Sequence, residues 1–150
     1  MKKLAILFAL LLVGVMFLEF SRGAQRRPEA DVMLDAARRA QACFDALKLE
    51  RERRGLAIDP EDDINGTGMI FWRFTEITTT LGSLEAKRTS TNPNMAALVI
   101  RLFHEVGVER GGRVAVNLSG SFPALDISVL CAMDAMGIGG VAIPMPMASM

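Results

Sequence analysis

The sequence predicts an α/β protein: an apolar N-terminal helix, a long amphipathic helix, then the start of a parallel βαβ layered domain. Three observations carry this. Residues 4–18 contain no charged and no strongly hydrogen-bonding side chain. Met33, Ala36, Ala37, Ala40, Phe44 and Leu47 recur at spacings of three and four, the period of one helix face. Residues 113–143 run strand, glycine turn, helix, strand, an order that is right-handed and parallel in nearly all cases.

Composition narrows the function classes. A chain of 150 residues has room for one modest domain. Its 17 basic and 17 acidic side chains give a formal net charge of zero, so there is no electrostatic reason to expect a nucleic-acid partner. With 51% hydrophobic and 23% charged residues the chain is too apolar to be read as disordered. Cys43 and Cys131 lie far apart and form no CxxC, and there is one His. These residue types assemble no zinc set, and neither metal nor cofactor is expected.

Residues 1–21 read as a membrane anchor or signal-like segment. The apolar run of fifteen residues spans about 22 Å as a helix, against a hydrocarbon core of about 30 Å. Counting Phe20, and letting Lys3 and Arg22 snorkel, brings it to the lower limit for spanning. A secretory signal peptide has the same layout, with a cut after Gly23 and Ser21 at the −3 position, but Arg22 between them disfavours cleavage. The expectation is therefore a single-pass, uncleaved signal-anchor at the membrane. Lys2 and Lys3 on one side are matched by Arg22, Arg26 and Arg27 on the other, so charge assigns no orientation.

Residues 22–58 read as an amphipathic helical stalk. Pro28 suits a first helical position; Glu29, Asp31 and Asp35 sit near the positive end, and Arg51, Arg53 and Arg54 near the negative end. Gly55 is a fitting stop. Cys43, beside the apolar stripe, reads as a small core residue. The polar, turn-rich stretch 59–68 marks the boundary of an α/β domain over 59–150. An EF-hand reading with Glu61, Asp63 and Asn65 at positions one, three and five fails, because position twelve is Trp72.

Residues 69–80 carry aromatic and β-branched side chains and read as a strand running into a loop over 78–92. Seven of the fifteen residues in that loop are Ser or Thr, with Glu85, Lys87 and Arg88 among them. Cations supply charge and hydroxyls supply direction for a carboxylate- or phosphate-bearing ligand, which makes Thr79, Thr80, Ser83, Glu85, Lys87 and Arg88 candidates. The same content also suits an exposed loop whose hydroxyls satisfy its own turns. Asn92-Pro93 opens a helix whose core face is Met95, Leu98, Val99, Leu102, Phe103 and Val106. His104 falls on its other face, and Gly107-Val108 fits a Schellman ending.

The last unit has a strand at 113–118, a helix over 123–136 ended by Gly137, and a strand at 141–143 before Pro144. It reads as Rossmann-like. Ser119, Gly120 and Ser121 lie at the carboxyl end of the strand and the N-terminus of the helix, where backbone N–H groups and hydroxyls make a ready anion site. The turn is neither GxGxxG nor a GxSxG elbow, and Ser121 equally suits a helix cap.

ITTTLGSLEAKRTSTNPN (77–94) and VAVNLSGSFPAL (114–125) together resemble the poly-gamma-glutamate system protein family. The likeness runs from about residue 59 to 143. It implies an accessory of bacterial poly-γ-glutamate biosynthesis or export, membrane-anchored and binding the polyanionic polymer or its membrane synthesis and export complex. It transfers no catalytic residue. The alternative is an amide hydrolase or transferase acting on the polymer, with a hydroxyl nucleophile from 78–83 or 119–121 and Glu85 or His104 as base. Residues 144–150 depart from the family's continuation, and two strands cannot close a parallel sheet. An N-terminal fragment, or a frameshifted reading of a longer protein, is expected.

Overall fold

The computed structural model describes residues 2–21, 27–71, 76, 78–80, 82–145 and 148–149. The first helix, α1 (Lys2–Ser21), exposes Leu7, Phe8, Leu11, Val15, Phe17 and Phe20 alike. No residue of α1 joins the described hydrophobic core.

The membrane expectation is corrected here. Among the described residues no helix is long and apolar enough to cross a membrane. Fifteen apolar residues reach about 22 Å against about 30 Å, and Glu19 and Ser21 close the run within the last turn of α1. Neither the single-pass anchor, the signal-anchor and transmembrane reading, nor a membrane location stands on this helix. The mixed helix-and-strand part of the fold class is what the structure holds.

The core lies where three helices meet: α2 (Ala30–Arg53), α4 (Asn94–Glu105) and α5 (Pro123–Met136). The stretch read as a stalk supplies Ala36, Ala40 and Phe44 to it. Ala96, Val99 and Ile100 come from α4, and Ala132, Ala135 and Met136 from α5. Alanines at the crossings let the helix axes approach while Phe44, Ile100 and Met136 fill the space between. Each of those larger side chains contributes about 1.5–3 kcal/mol by leaving water.

Helix ends follow their sequence signals. After α4 the N–H of Val108 bonds the carbonyl of Phe103 (2.8 Å) and that of Gly107 the carbonyl of His104 (3.1 Å), with Gly107 at φ +76°. This is the Schellman pairing. Asn92 Oδ1 accepts from the N–H of Asn94 at 3.0 Å, so it anchors the start of α4 just ahead of Pro93.

The fifteen-residue loop expected over 78–92 is not one loop. Thr78–Thr80 form strand β1, and Leu84–Ser90 form a short helix, α3. Ser83 caps α3, its Oγ accepting from the N–H of Ala86 at 3.2 Å. Leu, Glu, Ala, Lys and Arg are all good helix formers, and behind a serine cap they outweigh the flanking hydroxyl residues. Of the strand expected over 69–80, residues 69–71 are not extended into a ladder, while 72–75 and 77 lie outside the described residues.

Strands β2 (Arg113–Ser119) and β3 (Gly139–Met145) pair in parallel, from Arg113 opposite Gly139 to Ser119 opposite Met145, with α5 as the crossover. The βαβ expectation holds, and β3 runs through Pro144. A second parallel pair joins β1 to β4 (Ala148–Ser149). Gly140 is obligatory: a Cβ there would stand 2.1 Å from the carbonyl oxygen of Val114. Beyond it Val141, Ile143 and Met145 are exposed.

Candidate functional site

Lys87 and Arg88 are neighbours on α3, yet they serve different parts of the molecule. Lys87 is buried; its Nζ donates to the backbone carbonyl of Ser121 at 2.6 Å and sits 5.5 Å from the centre of the Phe122 ring. Burial holds its ammonium below the ordinary lysine range. Arg88 turns toward the 59–68 segment, donating from Nε to the carbonyl of Asp62 (2.9 Å) and from Nη2 to that of Glu61 (2.6 Å).

The turn at 119–121 directs its backbone donors inward. The N–H of Ser119 reaches Asp126 Oδ1 (3.3 Å), that of Gly120 the carbonyl of Met145 (3.3 Å), and that of Ser121 the Oγ of Ser119 (3.3 Å). The carboxyl of Asp126 thus takes up the Ser119 N–H. Burial raises its pKa, opposed by the Ser119 N–H. The fold therefore brings Lys87 and the Ser119-Gly120-Ser121 turn together, as one internally bonded joint between α3 and α5.

Glu85 and Arg88 instead face an open cleft of about 770 Å³ between α2, the 59–68 segment and α3. Its walls also carry Asp45 and Lys48 of α2, Thr67, and Thr89 at the C-terminal end of α3. Sequence reasoning missed the α2 wall. A polar face on an amphipathic helix looks like a solvated face until the segment opposite it is known. Lys48 has no hydrogen-bond or ion-pair partner among the described residues, whereas Asp45 accepts from Gln41 Nε2 at 2.8 Å.

Two buried groups hold the opposite wall in place. Asp63 accepts from the N–H and Oγ1 of Thr67 (both 3.0 Å) and from the N–H of Gly68 (2.6 Å). The carboxylate that the failed calcium reading would have used is thus taken up by its own loop. Arg51, at the end of α2, donates to the carbonyls of Gly68 (2.6 Å), Ile70 (3.0 Å) and Ala57 (2.9 Å) and stacks 4.7 Å over the Phe71 ring. Gly68, at φ +74°, sits so close to α2 that an added Cβ would lie 3.1 Å from Lys48 Cβ.

The remaining candidates lie elsewhere. Thr79 and Thr80 are exposed on β1, and Ser83 is the α3 cap. His104 lines a separate hollow of about 280 Å³ with Glu29 and Arg110, away from both hydroxyl-bearing segments. No group of three or more His, Cys, Asp or Glu able to hold a metal occurs among the described residues. Comparison with protein-family models, curated proteins and solved structures yields no match for this chain, so the poly-γ-glutamate resemblance rests on the two motifs quoted above.

Proposed function

We propose that this protein is a non-catalytic binder of poly-γ-glutamate, acting as an accessory of the polymer's synthesis or export, and that a strand of polymer lies in the cleft beside α2. The observation carrying this reading is the balance of charge on the cleft walls: Lys48 and Arg88 against Asp45 and Glu85, with Thr67 and Thr89 between them. A purely anionic ligand would meet two carboxylates there. Each repeat of a γ-linked glutamate chain offers one free carboxylate to a cation and one amide N–H to an acceptor. Its alternating acceptors and donors match such a surface. The cleft volume also falls in the range of ordinary ligand sites.

Titrating the purified protein with poly-γ-glutamate tests the reading. The Lys48→Ala variant should bind about five- to tenfold more weakly and with a shallower dependence on salt, since one half-buried cation contributes about 1 kcal/mol. Unchanged affinity would remove the cleft from the proposal. Shortening of the polymer during the titration would replace the binding reading with the amide hydrolase.

A further inference from the structure

The seam between α2 and α5 holds a feature independent of the polymer reading. Cys43 of α2 and Cys131 of α5 are 88 positions apart in sequence, yet their Sγ atoms lie 3.8 Å from each other. Cys43 is exposed and Cys131 buried. They sit along an open apolar groove of about 610 Å³ lined by Ala42, Ala46, Leu47, Ile127 and Leu130. The ion pair of Arg39 with Asp134 stands at its rim.

We propose that Cys43 and Cys131 are a dithiol modification site, closed to an intramolecular disulfide by exchange with a low-mass disulfide reaching the groove. A disulfide needs its sulfurs about 2.05 Å apart, so closure draws the two thiols together from their separation of 3.8 Å. Two sulfur donors, with no third ligand among the described residues, suit a covalent bridge better than a metal ion, which takes a fuller donor set.

The order of steps follows from access. The exposed Cys43 thiolate attacks one sulfur of the incoming disulfide, whose S–S bond breaks and releases one thiolate. Cys131 then gives up its proton and its sulfur attacks Cys43 Sγ, releasing the second thiol. Two protein thiols are oxidised and one disulfide is reduced to two thiols. Burial, with the Cys43 sulfur beside it, pushes the Cys131 thiol up to about 12. The second step is therefore the slower one and speeds with rising pH. The product bridges α2 to α5, two of the three core helices.

The test incubates the reduced, folded full chain with oxidised glutathione and follows intact mass without added reductant. Wild type should pass through a transient adduct and finish about 2 Da lighter than the reduced chain, as a monomer. Cys131→Ala should stop at the adduct, about 300 Da heavier, and Cys43→Ala should react at least tenfold more slowly than wild type. A wild-type chain that stays reduced, halts at the adduct or cross-links to a second chain overturns the proposal. So does a folded Cys43→Ala variant that reacts as fast as wild type. The wild-type mass decides the matter even where a substitution at buried Cys131 impairs folding.

Discussion

The ammonium of Lys87 donates to the backbone carbonyl of Ser121 across 2.6 Å, joining α3 to the turn that opens α5. Two candidate groups separated by 34 positions are thereby consumed in one structural joint. The cation that composition singles out for a ligand is buried against Phe122, while α2 contributes a cation, Lys48, to the cleft wall.

The Lys87→Met variant should be about 1 kcal/mol less stable near neutral pH, because the Ser121 carbonyl loses a charged donor. Its pH dependence has a definite sign. Burial lowers the Lys87 pKa in the folded state, so the unfolded chain binds that proton more tightly. Between the folded and unfolded pKa values stability rises with pH. Wild type should thus gain on the variant as pH climbs through the alkaline window below the ordinary lysine value. Urea midpoints measured from pH 7 upward check this; a constant difference between the two proteins would show that burial does not govern this lysine.

Arg51 is the residue whose loss should cost most outside the helical core. Three backbone carbonyls, those of Ala57, Gly68 and Ile70, depend on its guanidinium. Arg51→Met should destabilise by about 2 kcal/mol or more, since the carbonyls of Gly68 and Ile70 are buried and each buried acceptor left without a donor costs about 1–3 kcal/mol. Arg51→Lys should recover only a fraction, because an ammonium lacks the planar fork that reaches three acceptors. Denaturant midpoints, with proteolysis of the 57–70 segment as a local readout, distinguish a loosened segment from global unfolding.

These joints mark where the sequence was readable. The helices expected over 28–54 and 123–136 and the parallel strand pair follow from periodicity, prolines and glycines acting locally; the helices stand within two residues of their expected ends, while the strand expected at 141–143 extends to Gly139–Met145. α3 was missed because a serine cap and five helix formers were hidden in hydroxyl-rich surroundings. The two segments carrying the candidate groups, at 78–92 and 119–121, were legible by composition. Their use was not: that Arg88 is held by the carbonyls of Glu61 and Asp62 depends on contacts across 26 or more positions. The apolar run of α1 was equally legible, yet among the described residues no helix is long and apolar enough to cross a membrane.

Gly68 ties the far wall of the cleft to α2. Its positive φ disfavours any side chain, and an added Cβ would press on the Cα and Cβ of Lys48 at 3.2 and 3.1 Å. Gly68→Ala should cost about 1–3 kcal/mol and move the wall away from Lys48. Polymer affinity should therefore fall in the folded variant, whereas Gly55→Ala, with a similar φ and open space around it, should lose stability and keep affinity. Equal binding losses in both would detach the cleft from this contact.

Two adjacent glycines at the start of β3 give a matched pair. At Gly139 a Cβ meets nothing within 4 Å, while at Gly140 it would stand 2.1 Å from the Val114 carbonyl oxygen and 3.2 Å from Met133 Cε. The oxygen belongs to the partner strand, so the clash is with backbone, and α5 blocks retreat on that side. Gly139→Ala should lie within about 1 kcal/mol of wild type, on the stabilising side if reduced freedom of the unfolded chain dominates. Gly140→Ala should cost about 3 kcal/mol or more by parting β3 from β2. Urea melts of the two variants check the register from Arg113–Gly139 to Ser119–Met145, because a one-residue slip would exchange their effects.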